Sequence, residues 1–466
     1  MKGLRIVPSI VMLPLLVVTV RGAAPRTSTE IAKITSNDGI PANFSYSIAV
    51  SGDYLVVGAP AYSTQAGAGV GAVYVFHRSG SRWVQVAQLL VEDGAEYDVF
   101  GASVAIEGDV VVVGAPYIIP AVIGGGYGTV YIFRRYDRGT PTDPLDDEWY
   151  PEAKLTSPDQ IRWGDEFGLS VSISGGTILV GRPGWDYSSG SAYLYRRMNN
   201  VWVHVASLNP SDSALGDAFG SAVSIDGAVT LVGANKRADH GWGTGAAYVF
   251  RSAAGIWVEE VKLIASDATE RDFFAASVSI AGNYAVAGAQ SDDDLGPSSG
   301  SAYVFEHGDS SWSSGTKLLA SDGVANDGFG IAVSTDGNNL VVGSSGKDGI
   351  PPYPFANVGA AYLFQREAGQ WLEERKLVAS DPIQSAILGV SVAVQGSYAF
   401  VGAREKVYVY VLPSAAKNLR DFAIFQMCFR QEEGGWTTEC EAFDLVPNGR
   451  IDLRDFDELL ATLAGP

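Results

Sequence analysis

Oxygen-bearing groups near the C-terminus have the spacing of a calcium-binding loop. Across a twelve-residue span they fall at positions 1, 5, 7, 9 and 12, in the order Asp444, Asn448, the carbonyl of Arg450, Asp452 and Asp455. Gly449 takes position 6, where such loops turn sharply, whereas Val446 at position 3 removes one ligand. The spacing predicts one Ca²⁺ site, with a metal-free helical hairpin as the alternative.

A second group of residues could bind a ligand through rings and carboxylates. These side chains occupy the longer segments between predicted strands: Tyr62, Tyr117, Trp185, Tyr187, Trp242, Asp292, Asp294 and Tyr353. Exposed rings beside carboxylates can stack on sugars or anchor a protein partner. The alternative is turn chemistry, in which Asp and Gly close turns while the rings fill a channel. Asp292 and Asp294 could also contribute to a metal site, although their segment lacks a complete ligand set.

Few features of the sequence favour catalysis or nucleic-acid binding. The chain contains neither an H-E-x-x-H motif nor a Walker-type glycine loop, and its four histidines lie far apart. Two of the 52 acidic residues could stand at the separation that glycosidases use, but nothing singles out a pair. The formal net charge of −20 opposes binding to nucleic acid or to an anionic membrane surface.

Residues 1–24 have the pattern of an export signal. Lys2 and Arg5 precede an apolar stretch over 6–20, and the small residues at 22–24 offer a cleavage site. The apolar stretch is shorter than the ~20 residues of a membrane span. The pattern therefore predicts a cleaved signal peptide and a mature protein without a membrane span, secreted or at the cell surface.

One pattern recurs seven times between residues 30 and 412. Each copy carries Phe-Gly, then Val-Gly-Ala-Pro, then Gly-x-x-Tyr-x-Phe, or close variants of them. The glycine of the second motif stands at Gly58, Gly114, Gly181, Gly233, Gly288, Gly343 and Gly402. The successive separations of 56, 67, 52, 55, 55 and 59 residues are typical of a solenoid or a propeller.

Each copy contains four predicted strands, and their count indicates how the repeat ends. A tight turn rich in Gly, Asp and Asn joins the first two strands, and a tryptophan precedes the end of the fourth. Only six such tryptophans serve seven copies, whereas residues 31–36 match the end of a fourth strand. We expect this N-terminal strand to complete the last copy. The prediction is an all-β, seven-bladed β-propeller of four-stranded blades, closed into a ring without the exposed edges of an open array.

These motifs resemble the FG-GAP repeat of integrin α-subunit propellers and of exported bacterial repeat proteins. The resemblance covers residues 30–412 and implies that the Phe and Gly residues pack between blades. Integrin-type repeats carry an Asp-rich calcium loop between their first two strands. Here that position is a turn of two or three residues, too short for the roughly 12 residues of a calcium loop. We expect no calcium of that kind in the propeller.

Residues 413–466 form a separate predicted domain. Asn418-Leu-Arg-Asp-Phe recurs as Asp-Leu-Arg-Asp-Phe over 452–456, and each copy opens an apolar-periodic stretch, so we expect two short helices. Cys428 and Cys440 lie between them, and in an exported protein such a pair favours a disulfide. The duplicated loop-helix pattern resembles a type I dockerin. This resemblance implies a small α-helical, dockerin-like domain that could bind a cohesin-like partner.

Taken together, these features predict an exported, non-catalytic binding or adhesion protein. The propeller would present one face to an extracellular protein or glycan, and the dockerin-like tail would tether it. The alternative is a carbohydrate-active, polysaccharide-degrading enzyme or its accessory subunit, because dockerin-like tails accompany such enzymes in the families they resemble. A structural repeat protein without a ligand is the third interpretation.

Overall fold

The fold of the repeat region is a closed ring of small β-sheets. The computed structural model describes residues 30–413, except 81, 117–127, 138–145, 160–163, 185–187, 349–355 and 368. These residues form 28 strands in seven four-stranded antiparallel sheets, each of which is one blade. The first strand of every blade contacts the first strands of both neighbouring blades, so the ring is complete. The predicted seven-bladed propeller is confirmed for the described part of the chain.

The strands of blades 1 to 6 follow chain order from the centre outwards. Blade 1 contains β2 (Ser47–Ser51), β3 (Tyr54–Ala59), β4 (Ala72–Ser79) and β5 (Arg82–Leu89). Blade 2 contains β6 (Ser103–Glu107), β7 (Val110–Ala115), β8 (Thr129–Tyr136) and β9 (Glu148–Leu155). Blade 3 contains β10 (Ser170–Ser174), β11 (Thr177–Arg182), β12 (Ser191–Met198) and β13 (Val201–Leu208).

The next three blades repeat this order. Blade 4 contains β14 (Phe219–Asp226), β15 (Val229–Ala234), β16 (Ala246–Ala253) and β17 (Ile256–Leu263). Blade 5 contains β18 (Ser277–Ala281), β19 (Tyr284–Ala289), β20 (Ser301–Glu306) and the short β21 (Thr316–Leu318). Blade 6 contains β22 (Phe329–Thr335), β23 (Asn339–Ser344), β24 (Ala360–Glu367) and β25 (Gln370–Leu377).

Blade 7 is built from both ends of the repeat region. Its first three strands are β26 (Ser391–Gln395), β27 (Tyr398–Ala403) and β28 (Lys406–Val411), and its outer strand is β1 (Glu30–Ile34). Lys33 pairs with Tyr408 and Ile34 with Val407 in this antiparallel register. The expectation that the N-terminal strand closes the ring is confirmed.

Residue types explain why the strands take these places. The second strands are nearly continuous Val, Leu, Ile and Ala, and they are buried on both faces between a first and a third strand. The outer strands alternate apolar and polar residues because one face meets solvent. Two residues join the first and second strands in six blades, and three residues do so in blade 6. These tight turns use residues that accept left-handed backbone, such as Gly52 at φ 58°.

The repeated Phe and Gly residues hold neighbouring blades together. Phe100 is fully buried, and its ring lies edge-on to Tyr131 at 5.5 Å and to Phe133 at 6.0 Å between centroids. A Cβ on Gly58 would come within 2.1 Å of the Gly101 carbonyl oxygen, so the backbones of two blades meet where no side chain fits. The expected packing role of the Phe-Gly motif is confirmed at this position.

Two predicted segments lie outside the described residues. These are the signal peptide at 1–24 and the dockerin-like domain at 413–466, of which only residue 413 is described. Asp444, Asn448, Arg450, Asp452 and Asp455 of the predicted calcium loop are therefore outside as well, and so are Cys428 and Cys440. Within the described residues, no helix is long and apolar enough to cross a membrane.

Candidate functional site

The two ends of the ring differ in the length of their connections. We call one end the loop face, because it carries the long loops between second and third strands together with the linkers between blades. A loop and a linker run side by side, as in the parallel bridge between Gly71 and Phe100 and the hydrogen bond from the Val99 N–H to the Gly69 carbonyl. The other end carries short hairpin turns, and we call it the turn face. The loop face has room for variable side chains on a rigid base.

Trp242 is the most exposed ring among the described candidates of the loop face. It lies in the blade 4 loop with half of its surface exposed, and its ring stands edge-on to Phe273 of the next linker at 5.3 Å. Tyr62, in contrast, is half-buried against Tyr74, with 6.4 Å between ring centroids. The remaining aromatic candidates lie outside the described residues: Tyr117, Trp185, Tyr187 and Tyr353. The structure therefore brings one predicted ring, Trp242, to the surface of this face.

Asp292 is buried, Asp294 is about half exposed, and both pair with a lysine of the chain. The Lys317 ammonium lies 2.8 Å from Asp292, 2.7 Å from Asp294 and 2.7 Å from Asp267. Burial alone would lower the pKa of Lys317, but hydrogen bonds to the three carboxylates outweigh it and raise the pKa. Because the Lys317 ammonium already lies among these carboxylates, the arrangement disfavours a metal site at Asp292 and Asp294.

This arrangement is one instance of a motif that recurs at every junction between blades. We call this motif the junction cluster. In it, a tyrosine that recurs at the same place in every third strand donates its hydroxyl proton to an aspartate in the preceding linker. The pairs are Tyr74–Asp38, Tyr131–Asp93, Tyr193–Asp159, Tyr248–Asp212, Tyr303–Asp267, Tyr362–Asp322 and Tyr408–Asp381. The aspartate thus fastens each linker to the next blade.

A cation completes six of these seven clusters. In most blades it is a lysine of the outer strand that lies opposite the tyrosine, as in the pairs Lys376–Tyr362 and Lys33–Tyr408. In blade 3 that lysine is absent, and Arg182 from the end of the second strand takes its place near Asp159. In blade 1 the position opposite Tyr74 is Gln88, and no lysine or arginine among the described residues pairs with Asp38.

Strong electrostatic coupling accompanies the complete clusters. Burial opposes ionisation of Asp381, yet hydrogen bonds from Lys406, Lys33 and Tyr408 lower its pKa to about 2. Burial and the neighbouring carboxylate of Asp322 raise the pKa of Tyr362, so this phenol stays protonated and donates. The clusters are therefore ion-pair networks that fix the blades, and their charges are used within the chain.

The linker acids just before the Phe-Gly motif are structural. At most 3% of the residue surface is exposed in each of Asp165, Asp217, Asp272 and Asp327. Asp327 accepts a hydrogen bond from the backbone N–H of Val324, three residues earlier in its own turn. Burial raises the pKa of Asp272, which receives the same kind of bond from Thr269. For these acids turn chemistry is the correct interpretation.

The structure decides whether one short sequence motif is catalytic or structural. Residues 296–300 read Gly-Pro-Ser-Ser-Gly, which matches the G-x-S-x-G spacing of a nucleophile elbow. Such an elbow needs a strand, a turn and a helix, whereas this segment is a loop between two strands of blade 5. Ser298, the central serine of the motif, is half-buried, and its backbone N–H donates to the Asp293 side chain in the same loop. The motif here closes a loop.

Sequence patterns missed several exposed apolar residues near Trp242. Leu215 of the preceding linker, Leu295 of the blade 5 loop and Val324 of the following linker expose 74%, 41% and 53% of their surfaces. Each is flanked by at least one glycine and lies outside an alternating or helical apolar pattern, so no periodicity marks it. Leu215, Trp242, Phe273, Leu295 and Val324 give blades 4 to 6 an apolar and aromatic lining on the loop face, which we call the apolar sector.

A family comparison matches six of the seven copies and agrees with the strand order. A sequence model described as "FG-GAP repeat" matches residues 28–76, 83–133, 149–195, 202–250, 257–305 and 312–364. Each matched range begins around an outer strand and ends in the third strand of the following blade. The sequence repeat is therefore offset by one strand from the structural blade, which is the offset that lets β1 close the ring.

Curated relatives that match the chain are integrin α subunits. Integrin alpha-7 of Rattus norvegicus is 28% identical over 180 residues, which cover 37% of this chain and 14% of the relative. Integrin alpha-6 of Gallus gallus is 27% identical over 141 residues, covering 28% and 12%. Human integrin alpha-7 is 27% identical over 223 residues, covering 44% and 17%. The matched region thus spans less than a fifth of the length of each relative.

Proposed function

The chain belongs to the FG-GAP repeat family, and from this premise we propose that it is an exported, non-catalytic binding or adhesion protein. Its ligand is an extracellular protein or a glycan that contacts the loop face. The likeness to integrin α subunits, which are cell-surface proteins, supports a secreted or cell-surface location. The proposal concerns the propeller alone, because the relatives are much longer proteins.

The observation that carries the proposal is the contrast between the exposed apolar sector and the neutralised charges beneath it. Junction clusters hold the linkers rigidly, so the loops that they support lose little conformational entropy on binding. Trp242 then offers a large, half-exposed ring that is already oriented by Phe273. Such pre-positioned rings dominate the energetics of protein interfaces and stack on sugars.

The packing of three of the four described histidines supports a non-catalytic role, although His240 is exposed in the blade 4 loop and His307 also lies 3.1 Å from the Glu260 carboxylate. His77 lies edge-on to Tyr54 at 4.6 Å, and His307 lies edge-on to Trp312 at 5.1 Å. His204 contacts Ser207 on the exposed face of an outer strand and packs against Tyr195. These contacts use the histidine rings for packing and cross-strand pairing, which needs no general base.

Retention on an array of extracellular proteins and glycans tests the proposal. We expect the purified full chain to bind at least one member, and Trp242→Ala to weaken that binding at least tenfold without unfolding the protein. Tyr136→Ala is the matched control, since Tyr136 is an exposed ring at the turn-face end of β8. Retention on no member would contradict a binding role, and hydrolysis of a polysaccharide panel would replace it with the enzymatic alternative.

For residues 413–466 we propose a calcium-binding, dockerin-like tether. The support is the ligand spacing from Asp444 to Asp455 and the duplicated Leu-Arg-Asp-Phe pattern. Calorimetric titration of the full chain with millimolar Ca²⁺ should show one binding event that Asp444→Ala removes. A titration without heat, or one that Asp444→Ala leaves unchanged, would contradict the calcium site.

A further inference from the structure

Three junctions share an arginine stacked on a tyrosine near the turn face. The tyrosine opens the second strand of one blade, and the arginine ends the third strand of the next. The guanidinium carbon lies 4.9 Å from the ring centroid in Arg78–Tyr398, 4.9 Å in Arg135–Tyr54 and 5.1 Å in Arg366–Tyr284. These pairs join blade 1 to blade 7, blade 2 to blade 1 and blade 6 to blade 5.

In two of these pairs, the tyrosine and the arginine both donate to one carboxylate oxygen. The Tyr54 hydroxyl donates to Asp147 at 2.6 Å, and Arg135 donates to the same oxygen at 2.9 Å. The Tyr284 hydroxyl donates to Glu306 at 3.1 Å, and Arg366 donates to the same oxygen at 3.0 Å. In both junctions one acidic side chain thus receives the phenol proton and a guanidinium N–H.

The third pair lacks this carboxylate. Glu306 lies directly opposite Tyr284 in the strand register, whereas Val411 lies opposite Tyr398. The Tyr398 hydroxyl accepts a hydrogen bond from Arg78 Nη1 at 2.8 Å, and no described residue accepts the proton of that hydroxyl. Asp53 binds the opposite edge of the Arg78 guanidinium through Nε and so fixes its orientation. Tyr398 and Arg78 Nη1 thus lie side by side, but no acid bridges them as Asp147 and Glu306 do at the other two junctions.

A cavity opens at this same place. It has a volume of about 370 Å³ and lies between the first two strands of blades 7 and 1, with Arg78 and Tyr398 in its wall. Trp83 and Phe400 add an apolar side, where their rings stand edge-on with 5.3 Å between centroids. The cavity therefore combines the Arg78 guanidinium, which is paired with Asp53 in the same wall, one phenol donor and an apolar side.

We infer that this turn-face cavity binds the carboxylate of an acidic side chain from a peptide segment of a partner. The phenol of Tyr398 and Nη1 of Arg78 take the carboxylate oxygen, and the aliphatic stem of the acidic residue lies along Trp83 and Phe400. A peptide side chain is favoured because amino-acid carboxylates bind both the phenol and the guanidinium at the other two junctions, Asp147 from the β8–β9 connection and Glu306 from the strand that faces Tyr284. This site is at the opposite end of the ring from the loop face and does not depend on the proposed function of that face.

The protein's overall negative charge does not prevent this contact. At about 0.15 M salt the Debye length is ~8 Å, so the distant acidic surface is screened from an acidic peptide. At the filled junction, Tyr54 and Arg135 lie 2.6 and 2.9 Å from the Asp147 oxygen that they share. A carboxylate held at such a distance by Tyr398 and Arg78 is screened much less than the distant surface charges. Specificity for the carboxylate then comes from two donors in fixed positions.

Titration calorimetry of the full chain with acetyl-Gly-Glu-Gly-amide tests the inference. We expect binding at 0.15 M salt, and at least tenfold weaker binding of the Gln peptide, which has the same shape without the charge. Val411→Glu should abolish peptide binding, because it places a carboxylate where Glu306 stands in blade 5. Tyr398→Phe should weaken binding about threefold to tenfold, the effect of one lost hydrogen bond.

The matched control is Tyr284→Phe at the junction that Glu306 fills. It removes the same hydroxyl from an equivalent pair and should leave the affinity for the peptide unchanged. Circular dichroism of each variant verifies that the fold is kept. Equal binding of the Glu and Gln peptides, no binding of either, or binding of glucuronate without the Glu peptide would overturn the inference.

Discussion

The junction between blades 5 and 6 and the junction between blades 7 and 1 have the same architecture but different charge content. At the 5/6 junction, Asp322 pairs with Lys376 on the loop face, and Glu306 pairs with Arg366 on the turn face. At the 7/1 junction, Gln88 replaces the lysine and Val411 replaces the glutamate. One junction pairs its charges at both ends. At the other, the loop-face end lacks the lysine, and at the turn-face end Arg78 pairs with Asp53 while no described acid accepts the proton of the Tyr398 hydroxyl.

This difference distinguishes the apolar packing that stabilises the ring from the polar groups that are available to a ligand. Both junctions bury a ring of the Phe-Gly site, Phe329 in one and Phe44 in the other, so their apolar packing is equivalent. The Tyr398 hydroxyl at the 7/1 junction can donate to an external acceptor while the ion pair of Arg78 and Asp53 stays intact. Candidate binding sites in a repeat protein can thus be found by identifying the copy that lacks a contact present in the other copies.

The largest effect should come from the packing that the two junctions share. Phe329→Ala and Phe44→Ala should each cost about 3–5 kcal/mol, since each removes a fully buried ring between blades. Chemical denaturation of both variants gives the measurement. Equal losses would support equivalent packing, whereas a much smaller loss for Phe44 would show that the 7/1 junction is already loose.

The next effect concerns the buried ion pair of the 5/6 junction. Lys347→Met should cost about 2–4 kcal/mol, because Asp327 keeps only 2% of its side chain exposed and loses an ammonium 2.7 Å away. Tyr62→Met is the control, since Tyr62 holds the corresponding loop position in blade 1 without a charge. If the two variants have similar free energies of unfolding, the charge at Lys347 contributes nothing specific.

Lowering the pH should weaken the ion pairs of the complete junction clusters, so that these junctions come to resemble the 7/1 junction. The pKa of Asp381 is about 2 in the folded protein against an ordinary 3.8, so its ionised form stabilises the fold. That contribution is complete above the ordinary pKa and disappears as the pH falls from about 4 to about 2. It amounts to about 1 kcal/mol after solvent screening, because Asp381 is partly exposed.

Comparison of wild type with Asp381→Asn checks this pH dependence. Their difference in unfolding free energy should shrink as the pH falls through this window. A difference that stays constant from pH 6 to pH 2 would contradict the assignment.

The smallest effect is a gain at the 7/1 junction. Gln88→Lys supplies the missing cation beside Asp38 and Tyr74 and should stabilise the protein by less than about 1 kcal/mol, since this pair is exposed. The expected gain should vanish at 1 M salt, where the Debye length is ~3 Å. A gain that survives high salt would indicate packing rather than charge.

The repeat made the fold predictable from the sequence. Seven motif copies and six tryptophans were sufficient to predict the blade count and the closure by β1, because each copy is one supersecondary unit. Trp242 was also correctly placed at an exposed position. These features depend on local patterns that recur at a fixed period.

The charge clusters could not be predicted in the same way. Tyr362 and Asp322 are 40 residues apart, and Lys376 reaches them only through the register of two strands. Five of the seven linkers carry two aspartates, and the sequence does not distinguish the buried Asp327 from the half-exposed Asp322. The significance of Val411 likewise appears only when its strand position is compared with that of Glu306.

Thermal unfolding of two reciprocal double variants tests the central comparison most directly. Gln88→Lys/Val411→Glu adds the missing partners at the 7/1 junction, and Lys376→Gln/Glu306→Val removes them at the 5/6 junction. We predict that the first raises the unfolding midpoint by roughly 1 °C or more and that the second lowers it by a similar amount, as expected for about 1 kcal/mol in a domain of this size. A lower midpoint for the first variant, or a shift of both in the same direction, would contradict the account.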